Sequence, residues 1–106
     1  MDNFKIISII LKYLEAAMDF YEPDYTPIKA EALEITKERW TAIIKMLTDE
    51  GYIDDVTLQR YMRQPYTISN FYPQITLKGL EYLNENSMMK KVMNTAKGIK
   101  EALPFV

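Results

Sequence analysis

The chain has 106 residues, of which 48% are hydrophobic and 26% are charged, and its formal net charge at pH 7 is −2. This length favours one domain over residues 1–106, because two separate cores usually require more chain, and the composition is that of a folded protein. The absence of cysteine and histidine excludes disulfides and cysteine-ligated zinc and removes the most common general base. No apolar run reaches the about 18 residues of a membrane span, so we expect a soluble, cytoplasmic domain.

Charge is distributed unevenly along the chain. Residues 1–35 carry three basic and seven acidic side chains, whereas residues 87–106 carry four lysines and one glutamate. Residues 56–80 contain three basic side chains and no acid. The chain therefore offers a partner surfaces of opposite sign at its two ends.

The first predicted element is a long amphipathic helix that Pro23 ends, because the residue before a proline avoids the helical conformation. Polar residues recur at spacings of three and four and form one narrow stripe: Lys5, Ser8, Lys12, Glu15, Asp19 and Glu22. The positions between them are apolar and include Phe4, Ile6, Ile10, Leu14, Met18 and Phe20. A helix with so narrow a polar stripe is expected to be central and buried around most of its circumference.

A short helix over residues 28–33 is predicted next. Thr26 is suited to its N-cap and Pro27 to its first position. Its inward positions are expected to be Ile28, Ala32 and Leu33. Residues 34–35 then break the helix.

A third helix is predicted over residues 37–50, with Thr36 as its N-cap. Its apolar residues have the spacing i, i+3, i+4, i+7 of one buried face: Trp40, Ile43, Ile44 and Leu47. Gly51 ends this helix, because glycine tolerates the left-handed conformation that commonly follows a helix.

After Gly51 the pattern changes to that of a β-hairpin. Residues 52–58 are rich in β-branched and aromatic side chains, residues 59–66 contain Pro65 and form a loop, and residues 67–75 supply the returning strand. Asp54 and Asp55 are adjacent acids, but neighbours on a strand point to opposite faces, so they are not expected to hold a metal together.

Two further helices are predicted at the C-terminal end. Thr76 caps the fourth, which ends near Asn86 and turns Leu77, Leu80 and Leu83 inward. Ser87 caps the fifth, which Pro104 ends, so the domain divides into a core over 1–86 and a C-terminal helix over 87–104. The apolar positions of the fifth helix step by three and four: Met89, Val92, Ala96, Ile99 and Leu103.

This order of elements predicts a mostly helical α+β fold, a winged helix-turn-helix with a short β-hairpin wing and an extra C-terminal helix. Four segments, residues 26–28, 35–40, 47–53 and 75–83, resemble the YjcQ-like family of small bacterial and prophage proteins. The resemblance implies a winged-helix fold and a frequent association with phages, and it implies no specific biochemical activity.

Residues able to support catalysis are few. The chain has three glycines, too few for a glycine-rich phosphate loop, and its serines have no histidine to act as a base. We therefore expect a protein that is not an enzyme and that needs no cofactor, metal or small-molecule substrate.

DNA binding is the common use of the winged-helix fold, in which the third helix enters the major groove. Two acids on the outward face of that helix, Glu38 and Asp49, would repel phosphates, and the best-placed cations lie at its N-terminal end and in the hairpin loop. The candidate phosphate contacts are Lys37, Arg39, Thr41, Lys45, Arg60 and Arg63. The aromatic residues of the hairpin either stack on nucleic acid or, as we favour for most of them, pack onto the core.

Two functions of different class therefore remain open. The first is weak or complex-dependent binding of duplex DNA, with a regulatory role, which the acid-free hairpin favours. The second is a protein–protein interaction adaptor that keeps the fold without binding DNA, which the near-neutral third helix and a pI of about 5.1 favour.

The fifth helix has three alternative roles. We expect it first to pack within the monomer, next to form a homodimer through Val92, Ile99 and Leu103, and last to touch anionic lipid. A membrane is therefore not among the expected partners.

Overall fold

A computed structural model describes residues 2–91 of the chain, with side chains described over residues 2–86. In chain order its elements are α1 (Asn3–Ala17), a 3-10 turn (Thr26–Ile28), α2 (Ala30–Leu33), α3 (Lys37–Asp49), β1 (Ile53–Gln59), β2 (Thr67–Ile75) and α4 (Leu77–Lys91). The four helices and one antiparallel hairpin of the described residues confirm the predicted α+β class. Their order is compatible with a winged helix-turn-helix domain.

Helix α1 begins where the Asp2 carboxylate accepts a hydrogen bond of 2.8 Å from the backbone N–H of Lys5. The prediction that it continues to Pro23 is wrong, because α1 ends at Ala17. The next three N–H groups bond to carbonyls three residues earlier, which tightens the last turn. The Tyr13 hydroxyl then donates to the carbonyl of Asp24, which holds the following segment against the helix.

Only one side of α1 is covered by the described elements. Its buried residues are Ile6, Ile10, Leu11 and Leu14. The predicted burial of Phe4, Met18 and Phe20 is wrong, because these side chains are 72%, 62% and 67% exposed. Helix α1 is therefore central to the core without being enclosed by it.

The short helix predicted over residues 28–33 is divided in two. Lys29 has an extended backbone, so the 3-10 turn ends at Ile28 and α2 begins anew at Ala30. This restart changes the helical phase, which buries Ala30 and exposes Ala32, whereas Ile28 and Leu33 are buried as predicted.

Of the two predicted boundaries of this segment, the N-cap is wrong and the break after the helix is confirmed. Thr26 is not the N-cap of the first turn, because Tyr25 occupies that position and the Asp24 carboxylate accepts from the Thr26 N–H. After α2 the chain turns sharply at Glu34, which has the left-handed φ of 58° that glycine usually supplies. The predicted break at residues 34–35 is confirmed.

Helix α3 follows the prediction closely. The Thr36 hydroxyl accepts from the Arg39 N–H at 3.1 Å, and the apolar face is buried at Trp40, Ile43, Ile44 and Leu47. The helix ends at Asp49, one residue earlier than predicted, and Gly51 has a φ of 80°.

The two strands form an antiparallel hairpin whose base belongs to the core. Ile53 pairs with Ile75 and Val56 with Phe71, and the register shifts between residues 54 and 56 and again between residues 57 and 58. At the first shift Asp55 has a φ of 61°, and both Asp54 and Asp55 are exposed. A bulge therefore interrupts at Asp55 the regular strand geometry on which the expectation for these two acids was based.

Helix α4 starts at a cap that also ties the hairpin to α3. The Thr76 hydroxyl accepts from the Gly79 N–H at 3.1 Å and itself donates to the carbonyl of Gly51. Leu83 is buried and Leu80 half-buried, but the predicted burial of Leu77 is wrong, because it is 73% exposed. Six helical residues rotate the chain by about 240°, which moves Leu77 away from the face of Leu83.

The predicted end of this helix near Asn86, with Ser87 capping a fifth helix, is also wrong. Helix α4 continues through Ser87 to Lys91. Serine inside a helix costs only part of a kcal/mol, and no glycine or proline between residues 80 and 91 ends it. The remainder of the predicted fifth helix, residues 92–104, lies outside the described residues. In the part of the chain that is described, no helix meets the length and hydrophobicity needed to cross a bilayer.

Trp40 joins three elements of the core. Its indole Nε1 donates a buried hydrogen bond of 2.7 Å to the carbonyl of Ile28, and its ring meets the edge of Phe71 at 5.3 Å between centroids. The side chain thus connects α3 to the 3-10 turn and to β2, which confirms its prediction as part of the buried face.

We expect Trp40→Ala to lower the free energy of unfolding by about 3–5 kcal/mol, because it removes a large buried ring. Trp40→Phe should lower it by about 1–3 kcal/mol, because it leaves the Ile28 carbonyl buried without a donor. Urea denaturation followed by circular dichroism measures both. A wild-type midpoint for Trp40→Ala would contradict the placement of α3.

Gly79→Ala should destabilise the protein by about 1–3 kcal/mol, because a Cβ there would lie 2.4 Å from the Tyr52 carbonyl oxygen and 2.7 Å from Ile75 Cγ1. In an open helical position the same change stabilises by about 1 kcal/mol. Thermal unfolding measures the change in midpoint temperature. A lower midpoint for Gly79→Ala is expected, and a higher midpoint would contradict the close approach of α4 to the hairpin base.

Candidate nucleic-acid interface

The outward face of α3 and the loop between the strands form a groove of about 400 Å³. Lys37, Thr41 and Lys45 line it on the helix side, and Pro65 and Tyr66 line it on the loop side. Three of the six candidate phosphate contacts therefore share one surface.

Tyr66 brings cations from two elements together. The Lys45 Nζ lies 5.0 Å from the centroid of its ring, and the Arg60 guanidinium carbon lies 5.1 Å from it. The negative face of an aromatic ring attracts both charges, which allows two cations to lie close to each other. The sequence places Arg60 and Tyr66 in one loop but gives no indication that Lys45 joins them.

Lys45 already has an acidic partner. Its Nζ is 2.6 Å from Oδ2 of Asp49, one helical turn away. This hydrogen bond from Lys45 to Asp49 raises the pKa of Lys45, so that the amine stays protonated. Its charge is largely offset, which makes it a weaker phosphate ligand than its position suggests.

Two of the candidate arginines, Arg39 and Arg60, donate hydrogen bonds to neighbouring polar groups. Arg39 Nε donates to Asn3 Oδ1 at 2.8 Å, which draws Arg39 towards the start of α1 rather than into the groove. Arg60 Nε donates to the carbonyl of Met62 at 3.1 Å, in a tight loop where Met62 has a φ of 55°. The structure therefore does not bring Arg39 together with the other candidates.

Lys37 and Arg63 are exposed and make neither a hydrogen bond nor an ion pair with the side chains described over residues 2–86. Lys37 lies in the first turn of α3, where the N-terminal end of a helix favours an anion. These two cations are therefore the most available to phosphate.

A second groove, of about 260 Å³, adjoins the first at Lys37 and adds a residue that the sequence did not indicate. Lys29 lines it, with Nζ 5.5 Å from the centroid of the Phe71 ring. Its isolated position before α2 gave no pattern from which this could be read. Both grooves also contain one acid, Glu31 in the second and Glu38 in the first.

The aromatic residues of the hairpin serve different purposes. Phe71 packs edge-on against Trp40 and against Tyr25, 5.9 Å away, so for this residue the packing interpretation is confirmed. Tyr61 and Tyr72 are 78% and 61% exposed. The hairpin thus keeps free rings on its surface beside those that anchor it.

No group of three acids within the described residues is arranged to hold a metal ion.

The candidate dimer residues Val92, Ile99 and Leu103 lie outside the described residues.

Comparison with known proteins supplies the family. The model of the YjcQ protein family matches residues 9–102. A Bacillus subtilis (strain 168) protein, "Uncharacterized protein YjcQ", is 30% identical over 76 residues, which cover 72% of this chain and 78% of that protein. No solved structure matches the chain significantly. The length of the family match, together with this relative, shows that the chain belongs to the YjcQ family.

Proposed function

We propose that the chain is a winged helix-turn-helix protein that binds duplex DNA weakly, through its phosphates, with α3 and the hairpin loop as the contact surface. The observation that carries the proposal is the convergence of Lys37, Lys45 and Arg60 on the groove around Tyr66. Cations from a helix and from a hairpin loop on one side of a domain match the way winged helices meet a DNA backbone.

The same geometry favours phosphate contact over base reading. Pro65 and Tyr66 face the outward side of α3 across the groove, and Lys45 is paired with Asp49. These features leave few free side chains on the part of α3 that would face base edges in the major groove. Glu31 and Glu38 lower the local positive potential, so the affinity is expected to be low.

A specific observation also favours the second candidate, a protein-interaction adaptor. Met18, Phe20 and Tyr21 are large apolar side chains that lie close together in sequence after α1 and are exposed. Exposed apolar patches of this kind commonly mark contacts with another polypeptide. They line neither of the two grooves beside α3, so the two functions can be tested separately.

We expect Arg60→Ala/Arg63→Ala to weaken binding to all duplex sequences and to reduce the slope of log affinity against log salt by about 2, because two phosphate contacts are lost. Fluorescence anisotropy with a labelled random duplex at several salt concentrations measures the slope. Lys45→Ala should change it less, because Asp49 already offsets that charge.

Lys12→Ala is the matched control, because it removes one exposed cation on α1, outside both grooves. It should leave the slope unchanged. Wild-type protein that fails to bind duplex even at low salt would remove the DNA proposal and leave the adaptor as the better candidate.

Tyr66→Leu should weaken DNA binding about two- to fivefold, because it keeps an apolar side chain but removes the ring that both Lys45 and Arg60 contact. Tyr61→Leu, in the same loop and 78% exposed, is its control and should have little effect. The same anisotropy assay compares them. Equal affinities for the two variants would show that Tyr66 does not organise the surface.

A further inference from the structure

The segment that follows α1 forms an apolar patch outside the two grooves beside α3, defined here as Met18, Phe20 and Tyr21. These side chains are 62%, 67% and 97% exposed. Two cavities of about 300 Å³ each adjoin the patch, and Ala17, Phe20 and Pro23 line both of them. Phe20 thus lies between two cavities that are large enough to hold apolar side chains of a partner.

The backbone that carries this patch is held in place. The N–H of Phe20 donates to the carbonyl of Ala17 at 3.0 Å. Further along, the Tyr13 hydroxyl donates to the carbonyl of Asp24, whose carboxylate accepts from the Thr26 N–H at 3.0 Å. Both ends of the segment are therefore fixed to the fold, and the exposed rings are presented by ordered backbone.

Acidic side chains surround the patch. Residues 13–28 contain four acids and no lysine or arginine. All four are exposed: Glu15, Asp19, Glu22 and Asp24. A partner that fits this surface must therefore combine apolar side chains with positive charge.

The chain itself contains a segment with that chemistry. Residues 92–106 carry two lysines and one glutamate and directly follow Lys90 and Lys91, and their apolar residues recur at spacings of four, three and four: Val92, Ala96, Ile99 and Leu103. We propose that residues 92–106 of the same chain bind the patch of Met18, Phe20 and Tyr21.

The length of the chain permits this contact. Gln74 and Ile75, immediately before α4, line one of the two cavities beside Phe20, so α4 starts next to the patch. The 15 residues of α4 carry the chain about 22 Å away. Residues 92–106 span about 22 Å as a helix and about 50 Å when extended, which is enough to return. The inference is independent of DNA binding, and it assigns to residues 92–106 the patch that the adaptor candidate would give to another protein.

Paramagnetic relaxation in the full-length protein tests the contact. The chain has no cysteine, so Lys97→Cys gives one site for a nitroxide spin label. We expect the label to remove most of the NMR amide signal intensity of residues 17–22, whereas residues 59–66 keep theirs. Unchanged intensities over residues 17–22 would overturn the proposal.

Phe20→Ser in the labelled protein should restore the lost intensities, because it removes the ring between the two cavities. Phe4→Ser is the matched control, because Phe4 is similarly exposed, at 72%, and lies in the first turn of α1, at the other end of the helix from the patch. Asp19→Lys/Glu22→Lys should also restore them, because it reverses the charge around the patch. Restoration by Phe4→Ser alone would contradict the assignment of the site.

A mixed sample separates the same chain from a second copy. Isotope-labelled protein without the nitroxide is combined with nitroxide-labelled protein that carries no isotope. Full intensities in this mixture support binding within one chain. Loss of intensity at residues 17–22 in the mixture would overturn it in favour of exchange of the segment between two copies.

Discussion

The hydrogen bond from the Trp40 indole to the carbonyl of Ile28 is the constraint on which the helical part of the fold depends. It fixes α3 against the 3-10 turn, and the same ring contacts Phe71 on β2. A buried carbonyl that loses its donor is costly, so this bond specifies one arrangement of these elements rather than merely adding apolar contact. This arrangement also positions one wall of the groove beside α3, because Trp40 holds the inner side of the helix whose outer side lines the groove.

Local signals in the sequence were sufficient for much of the fold. Thr36 and Thr76 cap their helices as a side-chain hydroxyl before an apolar run indicates, and the spacing of the buried residues of α3 is unambiguous. The hairpin follows from β-branched and aromatic residues between Gly51 and Thr76. These features depend on neighbours within one helical turn or one strand pair, which is the range that a single sequence reports.

The errors have physical causes beyond that range. Helix α1 ends before Pro23 in a turn of i→i−3 hydrogen bonds, and the Tyr13 hydroxyl holds the carbonyl of Asp24, a contact across eleven residues. The extended backbone of Lys29 changes the phase of α2, and α4 passes Ser87 because no glycine or proline lies between it and Lys91. Similarly, the i,i+4 spacing of Lys45 and Asp49 is visible in the sequence, but the contact of Lys45 with the Tyr66 ring requires the hairpin loop to come close to α3.

The two ends of the hairpin differ in their contribution to the core: the base of the strands is part of it, and the loop over residues 60–66 is not. Its base is fixed by the Thr76 hydroxyl, and its inward residues, Ile53 and Val56, are buried in the core. Beyond the last strand pair, Gln59 with Thr67, the chain makes no contribution to that buried cluster. Loops with this property tolerate substitutions and changes of length. Relatives can therefore diverge in the seven residues from 60 to 66, and acquire different binding preferences, without any compensating change in the hydrophobic interior.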